Sequence, residues 1–189
     1  MLLNDLKAHL FSEEPTTVFA ILDGAMVPGL PAHLNSFSPE YICLYRGPLE
    51  PDMAQVAPYL ALLDRNAAFT DWVLTNGWGR RWGIFGTTKA GLPELRKHFR
   101  KFVQVSDASG KVYYFRFYDP AVLRNYLPKC SVEELKELFG PVQWYWMEEV
   151  EPRNGRRFLL VDNALREDRI SIVQPHERLG EVSWKLEPS

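Results

Sequence analysis

The sequence has little of what identifies several large classes of protein. Its 189 residues include two cysteines, Cys43 and Cys130, which are too few for a disulfide framework and are expected to be free thiols in a reducing compartment. The formal net charge of −2 argues against binding to nucleic acid through bulk charge. No apolar run approaches the ~20 residues that cross a bilayer, so the sequence predicts no membrane span.

The N-terminus also lacks the features of a signal peptide. It has no basic region, no long apolar stretch and no cleavage site of small residues. Leu3, Leu6 and Leu10 instead follow helical spacing. We therefore predict a short amphipathic helix at this end and a cytoplasmic protein.

Aromatic side chains are the abundant part of the composition. Phe, Trp and Tyr make up 13% of the chain, and six of these residues are tryptophans. Hydrophobic residues at 46% and charged residues at 24% are typical of a folded globular chain and exclude intrinsic disorder. A length of 189 residues fits one domain, or one domain with a small appendage.

The charged residues are unevenly distributed along the chain. Residues 1–79 carry three cations and nine acids, whereas residues 80–101 carry seven cations and one acid. The basic segment contains the clearest amphipathic helix, with apolar residues on one face and cations on the other. These cations are Arg96, Lys97, Arg100 and Lys101. We predict that they form a partner-binding surface, with a solvated helix face as the alternative.

Apolar runs bounded by Gly, Pro and Asp predict the strands, and apolar residues at helical spacing predict the helices. The predicted strands lie at 18–24, 41–47, 82–86 and 111–118, followed by a hairpin of 142–150 and 156–162. The predicted helices lie at 57–63, 70–77, 92–103, 120–126, 131–139 and 166–173.

This alternation of strands and helices favours an α/β (mixed α+β) fold. We predict a partly parallel sheet flanked by helices, a smaller mainly helical lobe and a C-terminal hairpin. The α/β lobe would cover residues 1–128. The helical and hairpin lobe, with its divergent C-terminal tail, would cover residues 129–189.

Catalytic and metal-binding motifs are scarce. The four histidines, at positions 9, 33, 98 and 176, are far apart, and neither cysteine has a second cysteine at metal-ligand spacing, so no metal and no cofactor is predicted. The glycines at 77–83 superficially resemble a dinucleotide loop, but they follow a predicted helix and precede a strand, which is the wrong order for such a loop. We predict a tight turn instead, with Trp78 and Trp82 lying over the chain.

Several charged residues lie at or near predicted strand ends. Asp23, Arg46 and Asp119 come at strand ends, and Arg116 is close by. Ligands of open α/β sheets bind at such ends, so these residues suggest a small phosphoryl-transfer or hydrolytic enzyme as an alternative function. The position of Asp23 resembles the nucleophile of haloacid-dehalogenase-like phosphatases, but the second acid that they need two residues later is replaced by Ala25. The alternative is that these residues have a structural role, in which the acids form buried ion pairs with arginines and Asp119 caps the helix that follows it.

Eight short segments form an ordered set along the chain. They lie at 22–25, 44–47, 57–60, 77–79, 82–85, 95–100, 115–123 and 139–141. The most distinctive are Phe-Arg-Phe-Tyr-Asp-Pro at 115–120 and, upstream of it, Gly-Trp-Gly at 77–79 and Trp-Gly-Ile-Phe at 82–85. Together they resemble the type VI secretion adaptor family, also called Tap or TEC chaperones. The resemblance covers one continuous domain over about residues 17–150.

The resemblance implies a cytoplasmic, non-enzymatic bacterial adaptor. Members of that family hold a cognate toxic effector, often near its N-terminal segment, and help to load it onto the VgrG spike protein. Their genes lie beside those of VgrG and the effectors. The family supplies no catalytic residues to carry over, and residues 151–189 match it poorly.

The predicted strand over 143–147 contains the densest group of aromatic side chains. Alternation places Trp144 and Trp146 on one face and Tyr145 and Met147 on the other. Trp and Tyr are enriched in interface hot spots because they bury a large area at low entropic cost. We predict that Trp144, Tyr145 and Trp146 contact a partner, with burial of both faces in the core as the alternative.

Overall fold

The computed structural model describes residues 2–12, 16–106 and 109–172. Its strands are β1 (Thr17–Asp23), β2 (Tyr41–Cys43), β3 (Pro58–Leu63), β4 (Gly83–Thr88), β5 (Gln104–Ser106), β6 (Val112–Tyr114), β7 (Val142–Glu148), β8 (Asn154–Val161) and β9 (Ala164–Ser171). Its helices are α1 (Leu2–Leu10), α2 (Leu30–Phe37), α3 (Pro51–Val56), α4 (Ala68–Gly77), α5 (Leu92–Phe99), α6 (Pro120–Tyr126) and α7 (Val132–Phe139), with a 3₁₀ turn at Leu127–Lys129.

A large sheet organises these elements. Seven strands are hydrogen-bonded in the order β2-β3-β1-β4-β7-β8-β9, and each neighbouring pair is antiparallel. β5 and β6 form a separate antiparallel ribbon of two strands. The prediction of a mixed α+β fold is therefore confirmed, and the prediction of a partly parallel sheet is wrong.

The prediction of the sheet fails because the sequence conceals an internal strand. Residues 57–63, predicted as a helix, contain β3, which pairs antiparallel with both β1 and β2. The run Pro-Tyr-Leu-Ala-Leu-Leu is almost wholly buried, and periodicity alone does not distinguish a short buried strand from a helix. With β3 between them, β1 and β2 are no longer neighbours, so no parallel contact forms.

A second strand is missing from the prediction near the C-terminal end. Residues 166–171, predicted as helical, belong to β9, which pairs with β8 along its whole length. β9 is rich in charge and mostly exposed, so its sequence carries little hydrophobic alternation. Position 173, the end of the predicted helix, lies outside the described residues. The predicted hairpin of β7 and β8 is confirmed, and β9 extends it to three strands.

Helices cover both faces of the sheet and create two hydrophobic clusters. Along β1, Val18, Ala20 and Leu22 belong to the cluster that includes residues of α1, α2 and α4. Phe19 and Ile21 belong to the cluster that includes residues of α5, α6 and α7. Burial of apolar surface contributes about 25 cal/mol per Å², so a strand covered on both sides stabilises two clusters at once.

Side-chain caps fix the starts of the last two helices. The Asp119 side chain accepts a hydrogen bond from the backbone N–H of Ala121, and Pro120 occupies the first turn of α6. Ser131 and Glu134 form the predicted capping box at the start of α7. An N-cap side chain contributes ~1 kcal/mol because it satisfies an amide that has no partner within the helix.

Gly83 permits a close approach between β1 and β4, which provides a test of the sheet. A Cβ atom at this position would lie 2.0 Å from the carbonyl oxygen of Ile21, whereas at Gly91 the nearest atom would be 3.7 Å away. We expect Gly83→Ala to lower the free energy of unfolding by ~2 kcal/mol or more, because backbone must shift. Gly91→Ala should cost no more than ~1 kcal/mol, the effect of a weaker N-cap residue. Urea denaturation measures both, and equal losses would contradict the close approach.

Candidate functional site

Charged side chains meet at one edge of the large sheet. β1 and β7 end at this edge and β4 begins there, because β4 runs antiparallel to both. The turn before β4 and the loop before α6 lie against the same edge, joined to it by hydrogen bonds. We call this group the ion-pair edge, and it consists of Asp23, Arg81, Arg116, Asp119 and Glu148.

Asp23 and Arg116 form the first ion pair of this edge. The Asp23 side chain is 1% exposed, and its Oδ2 accepts hydrogen bonds from both Nε (3.1 Å) and Nη2 of Arg116. Its Oδ1 accepts a hydrogen bond from the backbone N–H of Ala25 at 3.0 Å, which holds the turn after β1. The hydrogen bond to Asp23 raises the pKa of Arg116. Both carboxylate oxygens of Asp23 are thus engaged within the chain.

Asp119 and Arg81 form the second ion pair. Asp119 Oδ1 accepts from Arg81 Nε at 3.2 Å and Oδ2 accepts from Nη2 at 2.5 Å, so the guanidinium is held at two points. Asp119 Oδ1 also accepts from the backbone N–H of Ala121 at 2.9 Å. The carboxylate therefore caps α6 and joins this helix to the turn before β4.

Glu148 anchors that turn from the end of β7. It is 6% exposed and accepts backbone hydrogen bonds from Gly79 at 2.5 Å and from Arg81 at 2.8 Å. Gly79 has a φ of 82° and Arg81 a φ of 57°, and the left-handed region is strained for a non-glycine residue. Burial raises the pKa of Glu148, and the two backbone hydrogen bonds oppose this effect.

Trp78 and Trp82 flank this turn. Trp78 Nε1 donates a hydrogen bond to the carbonyl of Pro152 at 2.7 Å, and its ring centroid lies 4.6 Å from that of Trp146. The ring centroid of Trp82 lies 4.9 Å from that of Trp72. Both Trp78 and Trp82 are buried. The predicted tight turn from a helix into a strand is confirmed, since α4 leads through it to β4.

Two members of the ion-pair edge, Arg81 and Glu148, are not predicted from the sequence. Arg81 lies within the glycine turn, where the glycines and tryptophans attract attention first. Glu148 resembles Asp23 in being an acid at the last position of a buried strand, although Glu149 follows it directly. An acid that directly follows a buried apolar run is therefore the feature of the sequence by which Asp23 and Glu148 could be found.

The aromatic residues of β7 lie in the core. Trp144, Tyr145 and Trp146 are each 1% exposed. Their predicted alternation is correct, since the two tryptophans belong to one hydrophobic cluster and Tyr145 to the other. β7 is an internal strand between β4 and β8, and side chains cover both of its faces. This placement corrects the prediction of a partner surface at these residues, because a strand covered on both sides leaves no aromatic face for a partner.

Arg46 does not join Asp23 or Asp119 in an ion pair. It instead lines a cavity of about 300 Å³ beside α5. We call this the basic cavity, and its lining residues are Arg46, Pro93, Arg96, Lys97 and Arg100. The cavity combines one cation from the loop after β2 with the cations that the sequence predicts on the α5 face.

The cations predicted on the α5 face gather at the end of the helix. Within residues 2–12, 16–106 and 109–172, no carboxylate forms an ion pair with Arg46, Arg96, Lys97 or Lys101. Lys97 and Lys101 are exposed. Cations interact favourably with the negative end of the helix dipole, so part of their placement stabilises α5 itself.

Arg100 joins the basic cavity to the rest of the fold. Its Nη2 donates hydrogen bonds to the carbonyl oxygens of Cys43 at 3.0 Å and Tyr45 at 2.8 Å. Burial lowers the pKa of Arg100, and the neighbouring charges of Arg96 and Arg46 lower it further. The cations of the cavity therefore repel one another.

The ribbon of β5 and β6 presents apolar side chains to solvent next to the basic cavity. Val105 is 42% exposed, Val112 56% and Tyr114 53%. The ring centroid of Tyr114 lies 5.2 Å from that of Tyr45, the residue before Arg46. The sequence predicts a strand in this region but does not reveal its exposure, because a run of β-forming residues is ordinarily interpreted as having a buried face.

A concavity of about 510 Å³ lies between α5 and α7. It has mixed charge, and its charged lining residues are Glu94, Lys97, Lys101, Lys136 and Glu137. The buried ring of His98 also lines it, with Nε2 at 2.9 Å from the carbonyl oxygen of Leu138. Burial lowers the pKa of His98, and the neutral ring donates this hydrogen bond from Nε2.

The described part of the chain forms neither a metal-binding cluster nor a membrane-spanning helix. It contains no group of three or more His, Cys, Asp or Glu side chains placed to hold a metal ion. No helix within it has the length and apolar character needed to cross a membrane. Cys43 and Cys130 are free thiols, as predicted, and burial raises the pKa of both.

The amino-acid sequence of this chain matches the model of one protein family. The model of the family described as Domain of unknown function (DUF4123) matches residues 18–137, more than half of the chain. The protein is therefore a member of this family. The matched region contains the basic cavity and, except for Glu148, the whole ion-pair edge. Comparisons with curated proteins and with solved structures give no significant match.

Two substitutions separate the roles of Asp119. Asp119→Asn keeps an oxygen that can accept from Ala121 N–H, whereas Asp119→Ala removes both this oxygen and the charge beside Arg81. We expect Asp119→Ala to lower the free energy of unfolding by about 1–2 kcal/mol more than Asp119→Asn, which is the cost of losing an N-cap. Arg81 is half-exposed, so losing the ion pair alone should cost less. Urea denaturation decides the matter, and identical losses would show that the cap contributes nothing.

His98 predicts a pH dependence of stability. Its pKa is lower in the folded protein than the value of about 6.5 expected in the unfolded chain, so protonation favours unfolding. The stabilisation from the neutral ring is present above about pH 6.5 and is lost as the pH falls towards the folded-state pKa. We expect His98→Gln, which can still donate to Leu138, to lose less unfolding free energy than the wild type between about pH 7 and pH 5. Denaturation at several pH values tests this, and an unchanged slope would refute it.

Proposed function

We propose that this protein is a non-enzymatic adaptor, or chaperone, of a bacterial type VI secretion system. In this function it binds a cognate toxic effector in the cytoplasm and helps to load it onto the VgrG spike protein. Membership of the DUF4123 family supports the proposal, because this family is associated with type VI secretion effectors. The ordered motifs of the sequence support the same assignment.

The proposal depends on one observation: the acids of the ion-pair edge have partners within the chain, whereas the cations of the basic cavity lack acidic partners among the described residues. Asp23 is bound by Arg116, and Asp119 is bound by Arg81, while each acid also accepts a backbone hydrogen bond. The acids suggested for hydrolytic chemistry are thus engaged in holding loops. The cations of the basic cavity, in contrast, lack an acidic partner among the described residues. Unpaired surface cations favour association with a complementary partner.

The motifs behind the family resemblance have structural contacts in this chain. Trp78 and Trp82 pack beside the glycine turn, and Arg116 and Asp119 form ion pairs. These contacts hold the frame of the fold at the edge of the sheet. The cations beside α5 and the exposed apolar side chains of the ribbon take no part in these contacts, and they form the surface that we propose for contact with other proteins.

Co-expression with the effector and the VgrG encoded beside this gene tests the proposal. We expect the tagged protein to retain the effector through purification, and VgrG to join when all three proteins are present. An effector encoded at an unrelated locus is the control and should not be retained. Failure to form a complex with either neighbouring partner would contradict the adaptor function.

A hydrolase screen supplies the control for the enzymatic alternative. The wild-type protein and Asp23→Asn are compared on a generic phosphate monoester and on an ester, with circular dichroism to verify that the variant is folded. We expect no hydrolysis that depends on Asp23. Activity that is present in the wild type and lost in a folded Asp23→Asn variant would overturn the proposal in favour of an enzyme.

A further inference from the structure

We propose that the basic cavity and the ribbon of β5 and β6 form one docking surface for an acidic protein segment that also carries aromatic or large apolar side chains. The inference rests on the proposed function, in which this segment belongs to the effector. Tyr45 makes the surface continuous, since its carbonyl accepts from Arg100 at 2.8 Å and its ring centroid lies 5.2 Å from that of Tyr114.

The acidic character of the partner follows from the charges that line the cavity. Arg46, Arg96, Lys97 and Arg100 surround a space of about 300 Å³, and among the residues that the structure describes no acidic side chain lines it. Each of these cations raises the electrostatic free energy of the others, at separations where surface charges are only partly screened. Carboxylates of a bound segment would offset this repulsion. The loss of repulsion between the cations therefore favours binding.

The apolar character of the partner follows from the ribbon. Val112 and Tyr114 lie two positions apart on one face of β6 and are 56% and 53% exposed. A two-stranded ribbon with three residues in each strand is marginally stable by itself and gains from any surface that covers it. Aromatic and apolar contacts provide most of the affinity in a typical interface, whereas charges provide orientation and association rate. The ribbon would therefore supply affinity, and the basic cavity would supply orientation and association rate.

A protein partner fits these surroundings better than a nucleic acid. Lys97 lines both the basic cavity and the adjacent concavity, where Glu94 and Glu137 are also found. A continuous phosphate backbone that extended from the basic cavity into this concavity would meet Glu94 and Glu137, whereas a short acidic peptide can stay within the basic cavity.

A labelled glutamate–tyrosine copolymer is the probe for this surface. Binding is compared between two double variants with the same change of charge. Arg46→Glu/Lys97→Glu alters the basic cavity, and Arg80→Glu/Lys89→Glu alters two other exposed cations of the basic segment. A lysine–tyrosine copolymer and a single-stranded oligonucleotide serve as comparison ligands for the wild-type protein.

We expect Arg46→Glu/Lys97→Glu to weaken binding of the copolymer by about tenfold or more, and Arg80→Glu/Lys89→Glu to weaken it by about twofold or less. All four exchanged side chains are exposed, so both variants should keep the wild-type stability. Equal weakening in the two variants would overturn the inference, because net charge alone would then explain binding. Tighter binding of the oligonucleotide than of the copolymer would overturn it in favour of nucleic acid.

Val112→Ser/Tyr114→Ser tests the contribution of the ribbon. The wild type should bind the glutamate–tyrosine copolymer more tightly than a glutamate homopolymer, and this variant should lose that preference. Circular dichroism and urea denaturation verify that the rest of the fold is intact. A preference that persists in the folded variant would exclude the ribbon from the surface and overturn the inference.

Effector capture distinguishes a failure of this inference from a failure of the proposed function. If the wild type and Arg46→Glu/Lys97→Glu retain the neighbouring effector equally well, the docking surface is wrong and the adaptor function stands. If the wild type retains no effector but the copolymer still distinguishes the double variants, the surface stands and the adaptor function is wrong. The inference is supported when the same variant loses both ligands.

Discussion

Burial of both faces of the antiparallel sheet is the constraint on which the rest of the structure depends. A strand such as β1 directs Ala20 into one hydrophobic cluster and Ile21 into the other, so each face needs helices to exclude water. The helices that cover one face, α1, α2 and α4, precede in the chain those that cover the other face, α5, α6 and α7. Loops at the ends of the strands join these helices to the sheet, and the loops need a fixed geometry.

The ion-pair edge supplies this geometry where β1 and β7 end. Glu148 holds a turn that contains two left-handed residues, and Asp119 joins the same turn to the start of α6. Asp23 fixes the turn after β1 and binds the loop before α6 through Arg116. The buried acids thus stabilise connections, which accounts for carboxylates at strand ends without assigning them chemistry.

The surface beside α5 differs from this edge in that its charges are not compensated. Arg100 is tied to backbone carbonyls, while the cations near it have no acidic partner among the described residues. The exposed ribbon continues that surface with apolar side chains. Together, these cations and exposed apolar side chains form the docking surface that we propose.

Local interactions are what the sequence by itself determined. The caps at Asp119 and Ser131, the amphipathic face of α5 and the alternation along β7 depend on residues a few positions apart, so periodicity and spacing reveal them. Only the tertiary structure decided which short apolar runs become strands, because β3 is distinguished from a helix by the strands on either side of it. It also decided that Trp144 is core and that Asp23 meets Arg116, 93 residues away, since burial and long-range ion pairs depend on how distant segments pack.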